Sequence, residues 1–196
     1  MVSARKIRSN TQAMRYRLTA HLAKKLRALD PYWLSLMSQF GFKVVRAANG
    51  WVTYDGSGTI AVVPNNELDP DDTLAQILLH ELIHHFVQGQ SSYDSPDWGL
   101  DNTTEKHVVN EHAALLMQAA LLDIYGLRNI LIPTTDFRSF YEHIPLPAPA
   151  STETEAQRMA SRGLNRLMNH PAYASLNREL TRVCDLCEPH HLLPPT

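Results

Sequence analysis

The sequence predicts an α+β fold in which a small antiparallel sheet of about three strands packs on a mostly helical body. Residues 42–63 alternate β-branched and polar positions between turn sequences, which is typical of short strands. Most of the remaining chain repeats apolar residues at helical spacing and is interrupted by Pro or Gly, which indicates helices. With 196 residues, 44% of them hydrophobic, the chain can bury one core, so we expect a single domain over 1–196.

Residues 1–40 are predicted to form basic N-terminal helices, with a break at Asp30-Pro31. Residues 1–29 hold eight Lys or Arg residues and no acidic residue, although the formal net charge of the whole chain is −2. We interpret this basic arm as a solvated helix face packed on an acidic body. Contact with nucleic acid or anionic lipid, or a role as a transit-like presequence, remains open.

Hydropathy and the N-terminal residues bear on location. No apolar run approaches the ~20 residues of a membrane span, so we expect no transmembrane segment. The N-terminus lacks the apolar core and the small-residue cleavage site of a secretory signal. We therefore expect a cytoplasmic protein, or one exported without a recognisable Sec signal. The sequence does not indicate an oligomeric state.

Three short strands are expected at 42–46, 51–54 and 59–63. Asn49-Gly50 is a typical hairpin turn and would join the first two strands. Asp55-Gly56-Ser57-Gly58 would join the second and third strands. Together these signals predict an antiparallel meander directly before the next helix, within a catalytic core that we place at 41–126.

The next predicted helix runs from about Asp69 to Gln88. Asp69 is a typical N-cap, Pro70 a typical first residue and Gly89 a typical C-terminal glycine. Between these ends the helix is apolar nearly all round, so it belongs in the core.

This helix carries the motif His80-Glu81-Leu82-Ile83-His84. Positions i and i+4 lie on one helix face, so His80 and His84 can direct two imidazoles at one metal ion. Glu81 lies beside them, where it can deprotonate a metal-bound water. Ionisable groups on a buried helix are costly unless they are paired or bind metal, which favours a zinc site over an ordinary core helix.

Helices are also expected at about 107–125, 151–170 and 172–184, with a Pro-rich stretch at 133–149 between the first two. The stretch contains a short aromatic segment, 137–143. The part from 150 to 196 is thus predicted to hold C-terminal helices and an irregular tail.

A catalytic zinc needs a third protein ligand. Glu111 is our preferred candidate, because it lies on an apolar helix and shares a face with Leu115 and Leu122. The small Ala113 and Ala114 beside it would allow close helix packing. The alternatives are Asp97, Asp101, Glu105, His107 and His112.

Cys184 and Cys187 stand at C-x-x-C spacing, and His190 and His191 follow closely. These four residues can be considered as ligands of a second metal, but usual zinc sites separate their ligand pairs by a longer segment. We therefore expect two reduced thiols. A disulfide would require export of the protein.

The motif with Asn110-Glu111 downstream resembles the gluzincin (thermolysin-like) zinc metallopeptidases, over about residues 59–125. The resemblance implies a zincin-like fold with an active-site helix and a glutamate helix, and zinc bound by His80, His84 and Glu111. It also implies that the strand 59–63 is an edge strand that binds extended substrate by β-addition.

The chain departs from thermolysin itself four residues after the glutamate ligand. Thermolysin has an Asp there that orients a histidine, whereas this chain has Leu115, which indicates a minimal or divergent gluzincin. The orienting role would pass to Asp101 or Asp123.

The pentapeptide at 80–84 is also similar to that of clostridial neurotoxin light chains, and Arg138-x-x-Tyr141 is similar to their transition-state pair. Bacterial effector proteases are a related comparison. An oxyanion needs a further donor, and Arg138, Tyr141 and His143 are the candidates.

The sequence thus predicts a zinc metalloendopeptidase that hydrolyses a protein or peptide substrate through a zinc-activated water, with Glu81 as general base. Two other functions remain open: a non-catalytic or regulatory zincin-fold binding protein, and a DNA-associated protease that uses the basic arm. A nucleic-acid partner is not favoured.

Overall fold

A computed structural model of the chain describes residues 22–47, 52–70, 72–101 and 107–187. The helices defined within these ranges are α1 (Asp30–Gln39), α2 (Leu74–Gln88), α3 (Val108–Asp123), α4 (Arg138–Glu142), α5 (Glu155–Met168) and α6 (Tyr173–Cys187), and the strands are β1 (Lys43–Arg46), β2 (Val52–Tyr54) and β3 (Thr59–Val62). The α+β prediction is confirmed. The predicted break at Asp30-Pro31 is the start of α1, which follows a 3-10 turn at Arg27–Leu29.

The sheet is mixed, so the predicted antiparallel meander is wrong. The strand order is β1-β3-β2, in which β1 pairs parallel and β2 antiparallel with β3. Strand β3 carries the fully buried Ile60 and Val62, and a central position suits the strand with the most buried apolar side chains. The Asn49-Gly50 turn lies outside the described residues, but the strands on its two sides are not neighbours.

The second predicted turn is confirmed as the β2–β3 hairpin. The Asp55 carboxylate accepts hydrogen bonds from the backbone N–H groups of Ser57 and Thr59. These bonds favour the charged carboxylate and hold the pKa of Asp55 well below its usual range. Gly56 and Gly58 both have positive φ, which glycine adopts without a Cβ penalty.

Helix α2 is a core helix, as predicted, but it begins later than expected. Thr73, with extended backbone, is the N-cap, and its side chain accepts a hydrogen bond from the Gln76 backbone N–H. Asp69 and Pro70 therefore precede the helix. Gly89 ends it with φ 76°, as predicted. Only two residues of the helix, His85 and Gln88, are not buried.

Helix α5 clamps the C-terminal end of α2. Gly163 lies where an added Cβ would be 2.8 Å from the Met117 sulfur and 3.1 Å from Val87, so a larger residue would require the three helices to shift or repack. Arg166 donates hydrogen bonds to the carbonyl oxygens of Phe86 and Val87. A cation is favourable at a helix C-terminus, so Arg166 both satisfies and stabilises the end of α2.

The two cysteines lie on α6 and are not joined by a disulfide. The Cys184 thiol contacts the Tyr125 carbonyl oxygen at 3.3 Å. Burial raises the pKa of the Cys187 thiol to about 11, which disfavours the thiolate form that binds metal. His190 and His191 lie outside the described residues, so the second-metal alternative stays untested.

Candidate metal centre

Helices α2 and α3 bring His80, His84 and Glu111 together in a buried group that can hold a metal ion. The Nε2 atoms of the two histidines are 3.1 Å apart. Glu111 Oε1 lies 3.3 Å from His80 Nε2, and Glu111 Oε2 lies 3.2 Å from His84 Nε2. All three residues are at most 8% exposed. The i and i+4 spacing predicted from the sequence is therefore realised on one face of α2.

These distances are short enough for the three side chains to bind one metal ion together. Zinc binds His nitrogen and carboxylate oxygen at about 2.0–2.2 Å, which separates neighbouring ligand atoms of a tetrahedron by about 3.3–3.6 Å. The observed separations of 3.1, 3.2 and 3.3 Å lie at or just below the lower end of this range, with Glu111 Oε1 facing His80 and Oε2 facing His84. Two nitrogens and a carboxylate are also a usual donor set of catalytic zinc. The residues present thus fit the ion that the sequence predicts.

Gln118 on α3 fixes which nitrogen of His80 carries the proton. The Gln118 amide nitrogen donates to the Leu131 carbonyl oxygen at 3.0 Å, so its Oε1, 2.9 Å from His80 Nδ1, is the acceptor of that contact. His80 Nδ1 must then carry a hydrogen, so in the neutral imidazole the Nε2 lone pair is directed at the ligand group. The Nδ1 of His84 is buried and has no hydrogen-bond partner among the described residues.

The pKa values of His80 and Glu111 are shifted because His80, His84 and Glu111 lie close together. Burial lowers the pKa of His80, but the hydrogen bond and the negative charge of Glu111 outweigh it, so the net shift is upward. Burial raises the pKa of Glu111, but its hydrogen bonds with the two histidines outweigh it, so this carboxyl is held ionised. The Thr135 hydroxyl donates to Glu111 Oε1 at 2.8 Å and orients the carboxylate further.

Glu81 lies beside the ligand group and is held by a tryptophan. Its carboxylate is 8% exposed, and Oε2 accepts a hydrogen bond from Trp98 Nε1 at 3.0 Å. Trp98 comes from the loop after α2, in a 3-10 turn at Pro96–Gly99.

A cleft with a volume of about 610 Å³ opens onto Glu81 and the ligand group. Val52 of β2, Phe137 and Arg138 belong to its lining. The exposed carboxylates of Asp69 and Asp136 also belong to its lining. The ligand group is thus accessible from a space that can accept a peptide chain.

The other candidates for the third ligand are engaged elsewhere. Asp97 Oδ1 accepts from the Tyr54 backbone N–H, and His107 Nδ1 accepts from the Asp101 backbone N–H. His112 stacks on Phe140 at 3.6 Å. Among the described residues, none of these side chains belongs to the metal-competent group, whereas Glu105 lies outside them.

The expectation that Asp101 or Asp123 orients a ligand histidine does not match the structure. Asp123 pairs with the buried Arg128 and accepts from the Ala148 backbone N–H. Gln118 has the role instead, and Leu115 lies in a separate apolar cluster. Gln118 is seven residues after Glu111, and two helical turns place it on the same face. A buried amide at this spacing on an apolar helix was the sequence signal for it.

Of the three predicted oxyanion donors, Arg138 lines the cleft, whereas Tyr141 and His143 do not. Arg138 lines the cleft and pairs with Glu142 at 3.1 Å. Tyr141 is not at the cleft: it is 3% exposed, and its hydroxyl donates to the Arg128 carbonyl oxygen. Burial also raises the pKa of Tyr141. The exposed His143 contacts the Ser139 carbonyl oxygen through Nδ1 and does not line the cleft either.

The strand predicted to form the edge of the sheet is central. Both sides of β3 are paired, so β-addition to β3 is excluded in this structure. The edge strands are β1 and β2, of which β2 contributes Val52 to the cleft.

Comparisons with protein-family models, with curated proteins and with solved structures found no match. Within the part of the chain that the structure describes, no helix is long and apolar enough to span a membrane.

Proposed function

We propose that the protein is a zinc-dependent metallopeptidase. The observation that carries the proposal is the convergence of His80, His84 and Glu111, whose facing side-chain atoms lie 3.1–3.3 Å apart, with Glu81 beside them in an open cleft. The donor set, the buried ligands and the neighbouring carboxylate together are typical of catalytic rather than structural zinc sites, which are closed by a fourth protein ligand.

A zinc ion bound by this group would act as a Lewis acid that acidifies a water molecule and polarises the substrate carbonyl. His80 would donate its Nε2 lone pair, since the Gln118 contact keeps the proton on Nδ1. Glu111 would contribute one negative charge, and Thr135 would hold the orientation of its carboxylate.

Glu81 would act as general base and then as general acid. Its Oε2 is occupied by the Trp98 N–H, which leaves Oε1 to take a proton from water and return it to the departing amine. A partly buried carboxylate is suited to this because proton transfer needs a fixed geometry.

The substrate backbone would align on β2 rather than on β3. The Asp55 N–H donates to the Thr59 carbonyl oxygen in β3, whereas the Tyr54 N–H points away from β3 to Asp97. Backbone groups alternate in direction along an antiparallel strand, so the N–H and C=O of Val52 also point away from β3. Val52 lines the cleft, where it can pair with an extended peptide.

The charges of the cleft favour a basic substrate segment. Asp69 and Asp136 are exposed in its lining, and the positive charge of Arg138 is paired with Glu142. Peptides with Lys or Arg near the scissile bond would therefore be attracted more strongly than acidic peptides.

The test is zinc content and peptide cleavage of the wild type and of Glu81→Gln. The variant should keep one zinc per chain and lose hydrolysis of a proteome-derived peptide library, because Gln can accept the Trp98 hydrogen bond but cannot take a proton. Glu179→Gln is a matched control, since Glu179 on α6 is also 8% exposed and contacts Arg182. A wild type that binds zinc but cleaves nothing would indicate a non-catalytic binding protein instead.

A further inference from the structure

The turn that carries Trp98 has an unusual backbone. Asp97 has φ 47° and ψ 36°, and Trp98 has φ 60° and ψ 20°, so two successive residues with side chains adopt the left-handed conformation. This conformation is strained for a residue with a side chain, and it persists only where surrounding contacts determine it. The turn must therefore be stabilised by its contacts with neighbouring residues.

On one side the turn fastens the edge strand β2. Asp97 Oδ1 accepts from the Tyr54 backbone N–H at 2.8 Å. The Trp98 indole stacks on the Tyr54 ring with a centroid distance of 3.8 Å and an interplanar angle of 8°. The Tyr54 hydroxyl in turn donates to the Tyr93 carbonyl oxygen at 2.6 Å.

The β2–β3 hairpin also packs directly on this loop. A Cβ added to Gly56 would lie 2.9 Å from the Pro96 nitrogen and 3.0 Å from the Asp94 carbonyl oxygen. Gly56 therefore allows a close approach of two backbones. Strand β2 and the loop at 94–98 behave as one packed unit.

On its other side the turn reaches Glu81. Trp98 is 3% exposed, and its Nε1–H donates to Glu81 Oε2 at 3.0 Å. The hydrogen bond to a carboxylate is of the stronger, charge-assisted type. The same indole thus contacts the strand at the cleft margin and the carboxylate beside the ligand group.

We propose that Trp98 is a positioning residue, which fixes the Glu81 carboxylate relative to the substrate-aligning strand β2. This inference rests on the proposed peptidase function, and it adds a residue outside the metal motif. The rigid unit sets the distance between the base and a peptide paired with Val52. Trp98 itself contacts no reacting atom.

The experiment has one arm that does not need turnover. The chain has three tryptophans, so Trp33→Phe and Trp51→Phe identify two of the indole N–H resonances by nuclear magnetic resonance and leave the resonance of Trp98 by elimination. Glu81→Gln should move the Trp98 resonance upfield, because a neutral acceptor replaces a charged one, and should leave the Trp33 resonance in place. A Trp98 resonance that does not move would overturn the contact, even if Trp98→Phe cannot be purified.

The second arm is kinetic. Trp98→Phe should keep zinc stoichiometry and KM but lower kcat by about 10- to 100-fold, the effect expected from loss of a hydrogen bond to a charged group. Trp33→Phe is the matched control, since the Trp33 indole N–H is buried on α1 without a hydrogen-bond partner among the described residues. Equal kcat in both variants would overturn the positioning role. A wild type without hydrolysis would instead refute the peptidase proposal, and the resonance arm separates the two results.

Discussion

Replacing Gln118 with Leu should weaken zinc binding without touching a ligand atom. Gln118 is fully buried, and its amide joins His80 Nδ1 at 2.9 Å to the Leu131 carbonyl oxygen at 3.0 Å. Leu removes the acceptor for His80 Nδ1, so the imidazole can move its proton to Nε2, from which zinc must displace it. Loss of such an orienting partner typically lowers metal affinity 10- to 100-fold, or by about 1.4–2.7 kcal/mol.

The structure offers a matched control in Gln76. Its amide makes the same two kinds of contact, accepting from the Thr73 hydroxyl at 2.7 Å and donating to the Ile132 carbonyl oxygen at 3.1 Å. Gln118→Leu leaves the buried His80 Nδ1 and the buried Leu131 carbonyl oxygen without their partner, so it should lose stability by about 1–3 kcal/mol for each group. Gln76→Leu should lose less, because Ile132 is only partly buried and the Thr73 hydroxyl still accepts from the backbone N–H of residue 76. Only Gln118→Leu should lose zinc affinity.

Competition with a chromophoric chelator measures the affinity, and urea unfolding of the metal-free proteins measures stability. Zinc should also raise the unfolding midpoint of Gln76→Leu more than that of Gln118→Leu, since ligand stabilisation grows with the ratio of zinc concentration to Kd. If the two variants bind zinc equally tightly, the proton assignment on His80 is refuted.

Two further predictions concern the ligand glutamate and a neighbouring histidine. Glu111→Ala should abolish stoichiometric zinc binding while Glu105→Ala retains it, as measured by elemental analysis after gel filtration; the reverse result would reassign the third ligand. Burial lowers the pKa of His85 from its ordinary value of 6.5 to about 4. Its neutral form therefore contributes stability that is present above pH 6.5 and is lost as the pH falls through about 4, a change of about 3 kcal/mol. His85→Phe, which can keep the stack on Tyr93 at 3.9 Å, should reduce the dependence of urea unfolding on pH by this amount, and an unchanged dependence would contradict the assignment.

The group of His80, His84 and Glu111 could be predicted because it depends on features within single helices. The spacing of His80 and His84 follows from the helical repeat, and the cost of burying a carboxylate singled out Glu111 on an otherwise apolar helix. The glycine that ends α2 was equally clear, since Gly89 adopts a positive φ.

Strand order was not predictable in this way. The alternation of apolar residues located all three strands, but pairing depends on which strand gains most from a central position. Asn49-Gly50 favours a hairpin locally, yet β3 lies between the strands on its two sides. The expected edge strand was wrong for the same reason.

The residues around this group also differ in whether the sequence could predict their contacts. Gln118 was within reach of sequence reasoning, because it follows Glu111 by two helical turns. Trp98 was not, since its contact with Glu81 depends on two left-handed residues in a loop. The four-residue resemblance at Arg138 and Tyr141 was too short to carry geometry, and Tyr141 packs against α3 instead.

The clamp at the end of α2 has a consequence for the order of assembly during synthesis. His80, His84 and Glu111 are complete once the first 111 residues exist, but the carbonyl oxygens of Phe86 and Val87 are capped by Arg166, about 80 positions later in the chain. Contacts of such sequence separation form slowly, because the intervening loop must close first. The helix that carries His80 and His84 thus remains without this C-terminal cap in the nascent chain until α5 has been made, although all three residues of the candidate metal group have by then been synthesised.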